Sequence, residues 1–260
     1  MKQQLKRIVP KAFWPSLYLE RLVMKRSGGC IISGPFKDLK YIRQSFGSAL
    51  IPKLLGLYER ELHPVLNEII DAGFDRIINV GAAEGYYAVG LAMRCLRVPV
   101  VAFEIETEGR GLLREMARLN GVADRIDIRG RCSPVELTQA LVPLEHRHLL
   151  ICDCEGYEEE LLDLQKVPAL RNASILVELH EFISRGISQR IRGRFEASHT
   201  IEEIDDEDRR AAEFPFTTLY TRLMPQKYLR WAVGEHRPEH MNWFWMKPKK
   251  KASFETKDLD

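Results

Sequence analysis

The stretch Ile77-Ile78-Asn79-Val80-Gly81-Ala82-Ala83-Glu84-Gly85-Tyr86-Tyr87 decides the fold. A β-branched run enters a turn of small residues and leaves it as an amphipathic segment, which reads as strand, tight loop and helix. Small residues let a ligand approach the backbone closely, and the first turn of a helix offers free N–H groups. In open α/β sheets ligands sit beyond the carboxyl ends of the strands, where the strand order reverses. The spacing is Gly-x-x-x-Gly, not the Gly-x-Gly-x-x-Gly of dinucleotide sites. Glu84 inside the loop would repel a pyrophosphate and tolerate a cationic ligand.

Outward from this loop, Val- and Ile-rich runs without alternation predict strands covered on both faces. They fall at Arg76–Val80, Val98–Glu104, Arg125–Arg129, Leu149–Asp153 and Ser174–Leu179. Helices are predicted at Gly85–Leu96, Glu108–Leu119, Pro134–Leu141 and Glu155–Leu164. Ser133, Pro134 and Glu136 supply a cap, a first-turn proline and a capping box for the third. Upstream, Pro52–Leu62 and Pro64–Asp71 read as two helical pieces, each opened by a proline. Downstream, Ala197–Ile204 and Asn242–Met246 read as later strands, the second an antiparallel closing strand carrying Trp243, Phe244 and Trp245. The expected fold is α/β: a Rossmann-like, doubly wound, mostly parallel sheet of about seven strands with an antiparallel closing strand.

Three segments are expected. Residues 1–48 form a basic, aromatic N-terminal extension. Residues 49–247 form a single domain with a core over about 75–182. Residues 248–260 form a basic, disordered tail, with Lys247, Lys249, Lys250 and Lys251 at its start. In the extension, Lys2, Lys6, Arg7 and Lys11 precede Phe13, Trp14, Leu17, Tyr18 and Leu19. That pattern suits peripheral contact with an anionic membrane surface; a helix docked on the domain is the favoured reading. No apolar run approaches the roughly 18 residues that span a bilayer, and the N-terminus lacks a signal-peptide core.

The 260 residues include 39 basic and 37 acidic ones, a formal charge of +2, which argues against a nucleic-acid binder held by a net positive field. Cys30, Cys95, Cys132, Cys152 and Cys154 are odd in number and contain no Cys-x-x-Cys pair, so neither a disulfide framework nor a zinc ribbon is expected. Cys152 and Cys154 read as small core residues, and a reducing cytoplasm is the expected setting. Glu202, Glu203 and Asp205–Asp208 form an acidic cluster read as a solvated loop, because it lacks the calcium-loop spacing and glycine.

The second strand ends in Glu104, about 20 residues beyond the loop, where a carboxylate can accept both hydroxyls of a ribose. Loop and acid together point to a nucleoside-bearing cofactor. With Asn120-Gly121-Val122-x-Asp124-Arg125-Ile126 and Asp153-x-Glu155-Gly156-x-Glu158, the chain resembles class I S-adenosylmethionine-dependent methyltransferases, and within them the FkbM-like family. The matching stretches are Asn79 to Tyr86, Phe103-Glu104-Ile105, Ile151 to Glu158, and Val177-Glu178-Leu179-His180. Asn79, Ala83 and Ile151 stand where that family usually has an acid, an asparagine and a lysine.

The resemblance implies S-adenosylmethionine as cofactor. Gly81, Ala82, Glu84 and Gly85 would cradle its methionine part, with Asn79, Ala83 and Tyr86 beside them. Glu104 and Ile105 would hold the ribose, and Arg131 or Cys132 would border the adenine. It also implies methyl transfer to a hydroxyl of a sugar, glycan or other hydroxylated small molecule. Methyl transfer is an in-line displacement at a sulfonium carbon, so the protein must align the acceptor and take its proton. Asp153, Glu178 and His180 are the catalytic candidates, His180 as general base. Asp153, Glu155 and Glu178 could hold a magnesium ion as hard oxygen ligands. Glu181 and His199 stand in reserve. Arg185, Arg190, Arg192 and Arg194 form either a mobile loop for an acidic acceptor or a solvated helix face, the latter favoured. Two other classes stay open: a nicotinamide-dependent oxidoreductase, and a membrane-associated scaffold with a degenerate site.

Overall fold

The computed structural model describes residues 14–237 and 239–249. The cluster Lys2 to Lys11 and the tail from residue 250 lie outside the described residues. The sheet comprises β1 (Arg76–Val80), β2 (Val100–Phe103), β3 (Ile126–Arg129), β4 (His148–Cys152), β5 (Ser174–Leu179), β6 (His199–Ile204) and β7 (Asn242–Pro248). Its order is β3-β2-β1-β4-β5-β7-β6. The first five strands are parallel, and β7 runs antiparallel between β5 and β6. This is a Rossmann-like fold of the class I methyltransferase type.

The continuous apolar runs reflect a sheet covered on both faces, with successive side chains going to opposite sides. Ile77, Leu149, Ile151, Leu176, Trp243 and Trp245 enter one core. Ile78, Val80, Leu150, Cys152, Val177 and Phe244 enter the other. The helices in chain order are α1 (Pro15–Ser27), α2 (Leu50–Leu55), α3 (His63–Ala72), α4 (Tyr86–Arg94), α5 (Thr107–Leu119), α6 (Pro134–Ala140), α7 (Glu158–Leu161), α8 (Ile187–Phe195), α9 (Leu219–Leu223) and α10 (Gln226–Val233). Residues of α1–α5 and α10 pack into the first core, and residues of α6–α8 into the second.

Three expectations need correction. The fourth predicted helix, Glu155–Leu164, shrinks to Glu158–Leu161, because Glu155 (φ 53°) and Gly156 (φ 95°) turn the chain before the helix can start. The piece Pro52–Leu62 divides into α2 and a 3-10 turn at Arg60–Leu62, separated by Gly56 with φ 67°. Strand β2 stops at Phe103, so Glu104 sits just past its end. The capping box of α6 forms as its sequence requires: Ser133 accepts from the amide of Val135, and Glu136 accepts from that of Ser133.

The stretch before residue 49 shares the first core. Leu19, Val23, Ile31, Phe36 and Leu39 are buried in it. A Cβ on Gly90 would lie 2.7 Å from the Phe36 ring, so α4 accepts that ring only because position 90 lacks a side chain. Phe36 also meets Tyr86 edge-on at 5.2 Å between centroids. Phe36→Ala is expected to lower stability by about 3–5 kcal/mol, measured by urea denaturation. An unchanged unfolding midpoint would mean that this segment does not belong to the cooperative core.

Candidate functional site

The carboxyl ends of β1, β2, β4 and β5 open into a cavity of about 730 Å³. Its floor is set by the meeting of two loops. The amide of Asp153 donates to the carbonyl of Val80 at 3.0 Å, and Gly81 (φ +77°) then passes so close that a Cβ there would lie 1.6 Å from the Asp153 carbonyl oxygen. Gly81 and Ala82 both donate to the Phe103 carbonyl, at 3.0 and 2.9 Å, which ties the same loop to the end of β2.

Glu104 is buried, and its carboxylate accepts from the amides of Ala83 and Glu106 at 2.8 Å each. Gly109 leaves room for it, since a Cβ there would lie 2.9 Å from its Cγ. Each carboxylate oxygen has two acceptor sites, so the backbone bonds fix the orientation while capacity remains toward the cavity. Ile105, 63% exposed, and Cys132 border the same end. The Arg131 guanidinium lies over the Tyr157 ring, 5.4 Å from its centroid. Burial pushes the Cys132 thiol up to about 12, which leaves it protonated and unreactive.

Of the sequence-selected residues, Gly81, Ala82, Ala83, Glu84, Tyr86, Glu104, Ile105, Arg131, Cys132, Asp153, Glu155, Glu178 and His180 all line this cavity. Asn79 and Gly85 do not. Asn79 lies one residue inside β1 with both side-chain polar atoms buried and without partners. Gly85 precedes α4 at φ 103°, and a Cβ there would lie 2.3 Å from Leu113, so its role is close packing on α5.

Glu84 turns its carboxylate away from the ligand space. It is fully buried and receives Lys53 Nζ at 2.6 Å, Tyr41 Oη at 2.6 Å, Ser45 Oγ at 2.7 Å and the amide of Phe46 at 3.3 Å. Burial would raise its pKa, but the Lys53 ammonium and the hydroxyl donors hold it below the usual carboxylate range. The pair anchors residues 41–53 over the loop, and Phe46, Gly47 and Ser48 become a wall of the cavity.

A second ionic network closes the opposite wall. Arg237 binds Glu59 at 2.9 Å, Glu235 at 3.0 Å and, closer still, Glu178. Arg209 joins Glu61 at 2.6 Å and Glu235 at 2.8 Å. Tyr87 donates to Glu59. None of Lys53, Tyr41, Glu59, Arg209, Glu235 or Arg237 was selected from the sequence; apart from Arg237 with Glu235, the charged partners in these pairs lie 26 to 178 residues away.

Between these walls stands His180, 1% exposed. Its Nδ1 lies 2.9 Å from the buried carboxylate of Glu158, and its Nε2 faces Asp153 at 3.6 Å, Glu155 at 3.5 Å and Glu178 at 3.5 Å. Burial alone would lower the His180 pKa; the Glu158 carboxylate, with Glu178 and Glu155, raises it above its ordinary value. Burial and the neighbouring Glu178 carboxylate push Asp153 well above the usual range. One ligand atom each from Asp153, Glu155 and His180 lies within 4.8 Å of the others, which suits three ligands of one divalent cation. Glu178, selected from the sequence for that role, is instead drawn to Arg237.

The arginines after β5 do not reach the cavity. Arg190, Arg192 and Arg194 lie on α8. Arg190 pairs with Glu159 at 2.6 Å, Arg192 pairs with Glu203 at 2.6 Å, and Arg194 lies 3.6 Å from Glu159. This sets aside the alternative of a mobile anion-binding loop and agrees with the favoured reading of a helix face. Glu181 accepts from the amides of Gly186 and Ser188, and His199 Nε2 lies 3.0 Å from the carbonyl of Ala173, so both reserve candidates hold local structure.

No family model matches the sequence, and no curated protein matches it. Solved structures do match. The O-methyltransferase TomG of Streptomyces achromogenes, in complex with S-adenosylmethionine, shares 15% identity over 72% of this chain and 78% of its own, with a TM-score of 0.44. A putative O-methyltransferase of Klebsiella pneumoniae shares 15% identity over 95% of both chains, TM-score 0.44. The precorrin-6y C5,15-methyltransferase of Geobacter metallireducens shares 13% over 72% of this chain and 88% of its own, TM-score 0.48.

Lys53→Met would strand the Glu84 carboxylate, and an expected loss of about 3–5 kcal/mol follows from leaving a buried charge unpaired. Lys53→Met combined with Glu84→Gln should recover much of it. The depressed Glu84 pKa makes the wild-type advantage full above the ordinary carboxylate value and lost as pH falls through the folded one. Urea denaturation of wild type and both variants across that range checks the sign; equal stability of the single and double variants would refute the anchor.

Proposed function

We propose that the chain is an S-adenosylmethionine-dependent methyltransferase, FkbM-like in its motifs, that acts on a hydroxyl of a sugar, glycan or other hydroxylated small molecule. The observation that carries this reading is the Glu104 carboxylate, fixed beside the Gly81–Ala83 backbone in a cavity whose far end gathers Asp153, Glu155 and Glu178 around His180. The cofactor, when bound, supplies a methyl group on a positively charged sulfur. The acidic end of the cavity, where Glu155 stands exposed, favours that charge and disfavours a pyrophosphate, which weighs against the nicotinamide reading. Glu84 no longer contributes to that argument, because Lys53 neutralises it. A scaffold with a degenerate site finds less support, since Glu104 and the small-residue loop keep a ligand-sized space open.

His180 acts as the base. Glu158 takes up its Nδ1 side, which leaves Nε2 turned to the cavity to receive the acceptor's proton as its oxygen gains the methyl group. A second reading rests on the close approach of Asp153, Glu155 and His180: a magnesium ion there would lower the acceptor's pKa, and His180 would then be a ligand. Arg237, the arginine beside Glu178 and His180 in this cavity, is consumed by Glu59, Glu178 and Glu235. That favours a neutral hydroxylated acceptor over a phosphorylated or uronic one.

Calorimetric titration should give binding of S-adenosylmethionine and S-adenosylhomocysteine and none of NAD. Glu104→Ala should weaken both about ten- to a hundredfold by loss of hydrogen bonds to a charged group, and Gly81→Val should abolish them. Binding of NAD alone would overturn the assignment. Once an acceptor is in hand, His180→Ala should cost about 10²–10⁴ in kcat while cofactor affinity stays. Loss of activity on chelation, restored by magnesium, would select the metal reading.

A further inference from the structure

We propose that the face formed by α1 and the loop that follows it is an electrostatic docking surface for an anionic phospholipid bilayer. This inference stands apart from the enzyme reading.

Helix α1 has two faces. Leu19 and Val23 are fully buried and Ser27 nearly so, a spacing of four that seats one side on the core. Tyr18 is occupied as well: its hydroxyl lies 2.9 Å from Thr218 Oγ1 and its ring meets Tyr220 edge-on at 4.6 Å. Tyr18, the aromatic residue of this helix, is therefore tied to the protein and is not the lipid contact. The opposite side carries Arg21 and Lys25, one turn apart, over a second cavity of about 750 Å³. Lys40 and Arg43, on the following loop, complete its rim.

All four cations are exposed, and none makes an ion pair or a side-chain hydrogen bond among the described residues. Some other surface cations do have a carboxylate partner, among them Arg190, Arg192, Lys166 and Lys247. Glu20 is the single acid lining this cavity, while Met24 and Leu119, the latter 43% exposed, give it apolar surface. A concave basic rim around apolar side chains matches the headgroup level of a bilayer, where phosphate and serine carboxylate lie beside the first methylenes.

Residues 1–13, immediately ahead of α1, carry Lys2, Lys6, Arg7 and Lys11 and no acid. Like charge disfavours that segment as an occupant of the cavity. It reinforces attraction to the same anionic plane. In a chain with a net charge of only +2, four exposed cations without an ion pair among the described residues share the rim of this cavity.

The test is co-sedimentation of the full chain with phosphatidylcholine vesicles, with and without phosphatidylserine, at low and at physiological salt. Binding is expected only with phosphatidylserine and should weaken with salt. Replacing Arg21, Lys25, Lys40 and Arg43 together by alanine should reduce partitioning a few hundredfold, at about fivefold per cation, with the melting temperature unchanged. Arg222→Ala with Lys227→Ala, at exposed positions elsewhere, should cost little. Four outcomes overturn the proposal: no binding to either vesicle; equal loss in the control variant; binding that survives the fourfold variant but vanishes when residues 1–13 are removed; or displacement by soluble glycerophosphoserine, which would mark a small-anion pocket. Retention of duplex DNA without vesicle binding would reassign the face to nucleic acid and overturn it too.

Discussion

The close approach of Gly81 to the Asp153 carbonyl is the constraint from which the rest of the site follows. No side chain fits between the two loops, since a Cβ would stand 1.6 Å from that oxygen. The ends of β1 and β4 are thereby clamped, and the switch point of the sheet, where the order reverses between these two strands, becomes a floor in place of a gap. The clamp gives the small-residue loop its direction toward Glu104. It also sends the chain after Asp153 into the left-handed turn at Glu155 and Gly156, which truncates the helix and brings Glu155 within reach of His180.

Electrostatic balance then shapes the cavity walls. A buried carboxylate is tolerated only with partners, and each wall supplies its own. Lys53 satisfies Glu84 on one side; Arg237 and Arg209 satisfy Glu59, Glu178, Glu235 and Glu61 on the other. Asp153 and Glu155 approach His180, which Glu158 and Glu178 also share, and burial beside Glu178 pushes the Asp153 carboxyl well above the usual range. Most of the acids around the cavity are structural, and their number alone says little about the ligand.

The sheet and the glycine loop were legible in the sequence because they rest on local patterns: apolar runs of strand length, a capping box at Ser133, and an acid at the end of the second strand. The walls were not. Glu84 looks like a loop acid facing a ligand until Lys53, 31 residues upstream, is seen to claim it. Arg190 and Arg192 looked available because their partners Glu159 and Glu203 are separated from them in sequence and joined only through the packing of α8. A charge's role depends on its partner, and partner choice is set by tertiary contact, which the sequence does not display. The segment before residue 49 was set apart as an extension on composition, although Phe36 and Leu39 lie in the first core.

Asn79 and Ile151 illustrate the converse, a departure that the fold makes intelligible. In the motif that the chain resembles, these positions hold an acid and a lysine; here they are an amide and an aliphatic. They are register partners on adjacent parallel strands, and both are buried. Removing one member of a buried charge pair would leave the other uncompensated, at a cost of about 3–5 kcal/mol, whereas exchanging both for uncharged groups can be nearly neutral. What remains is an Asn79 amide without partners beneath the loop, a smaller penalty than a lone carboxylate would carry. The backbone above it still makes its bonds to Phe103 and Asp153. The departure alters what lies beneath the Gly81–Ala83 loop while the path of that loop is preserved.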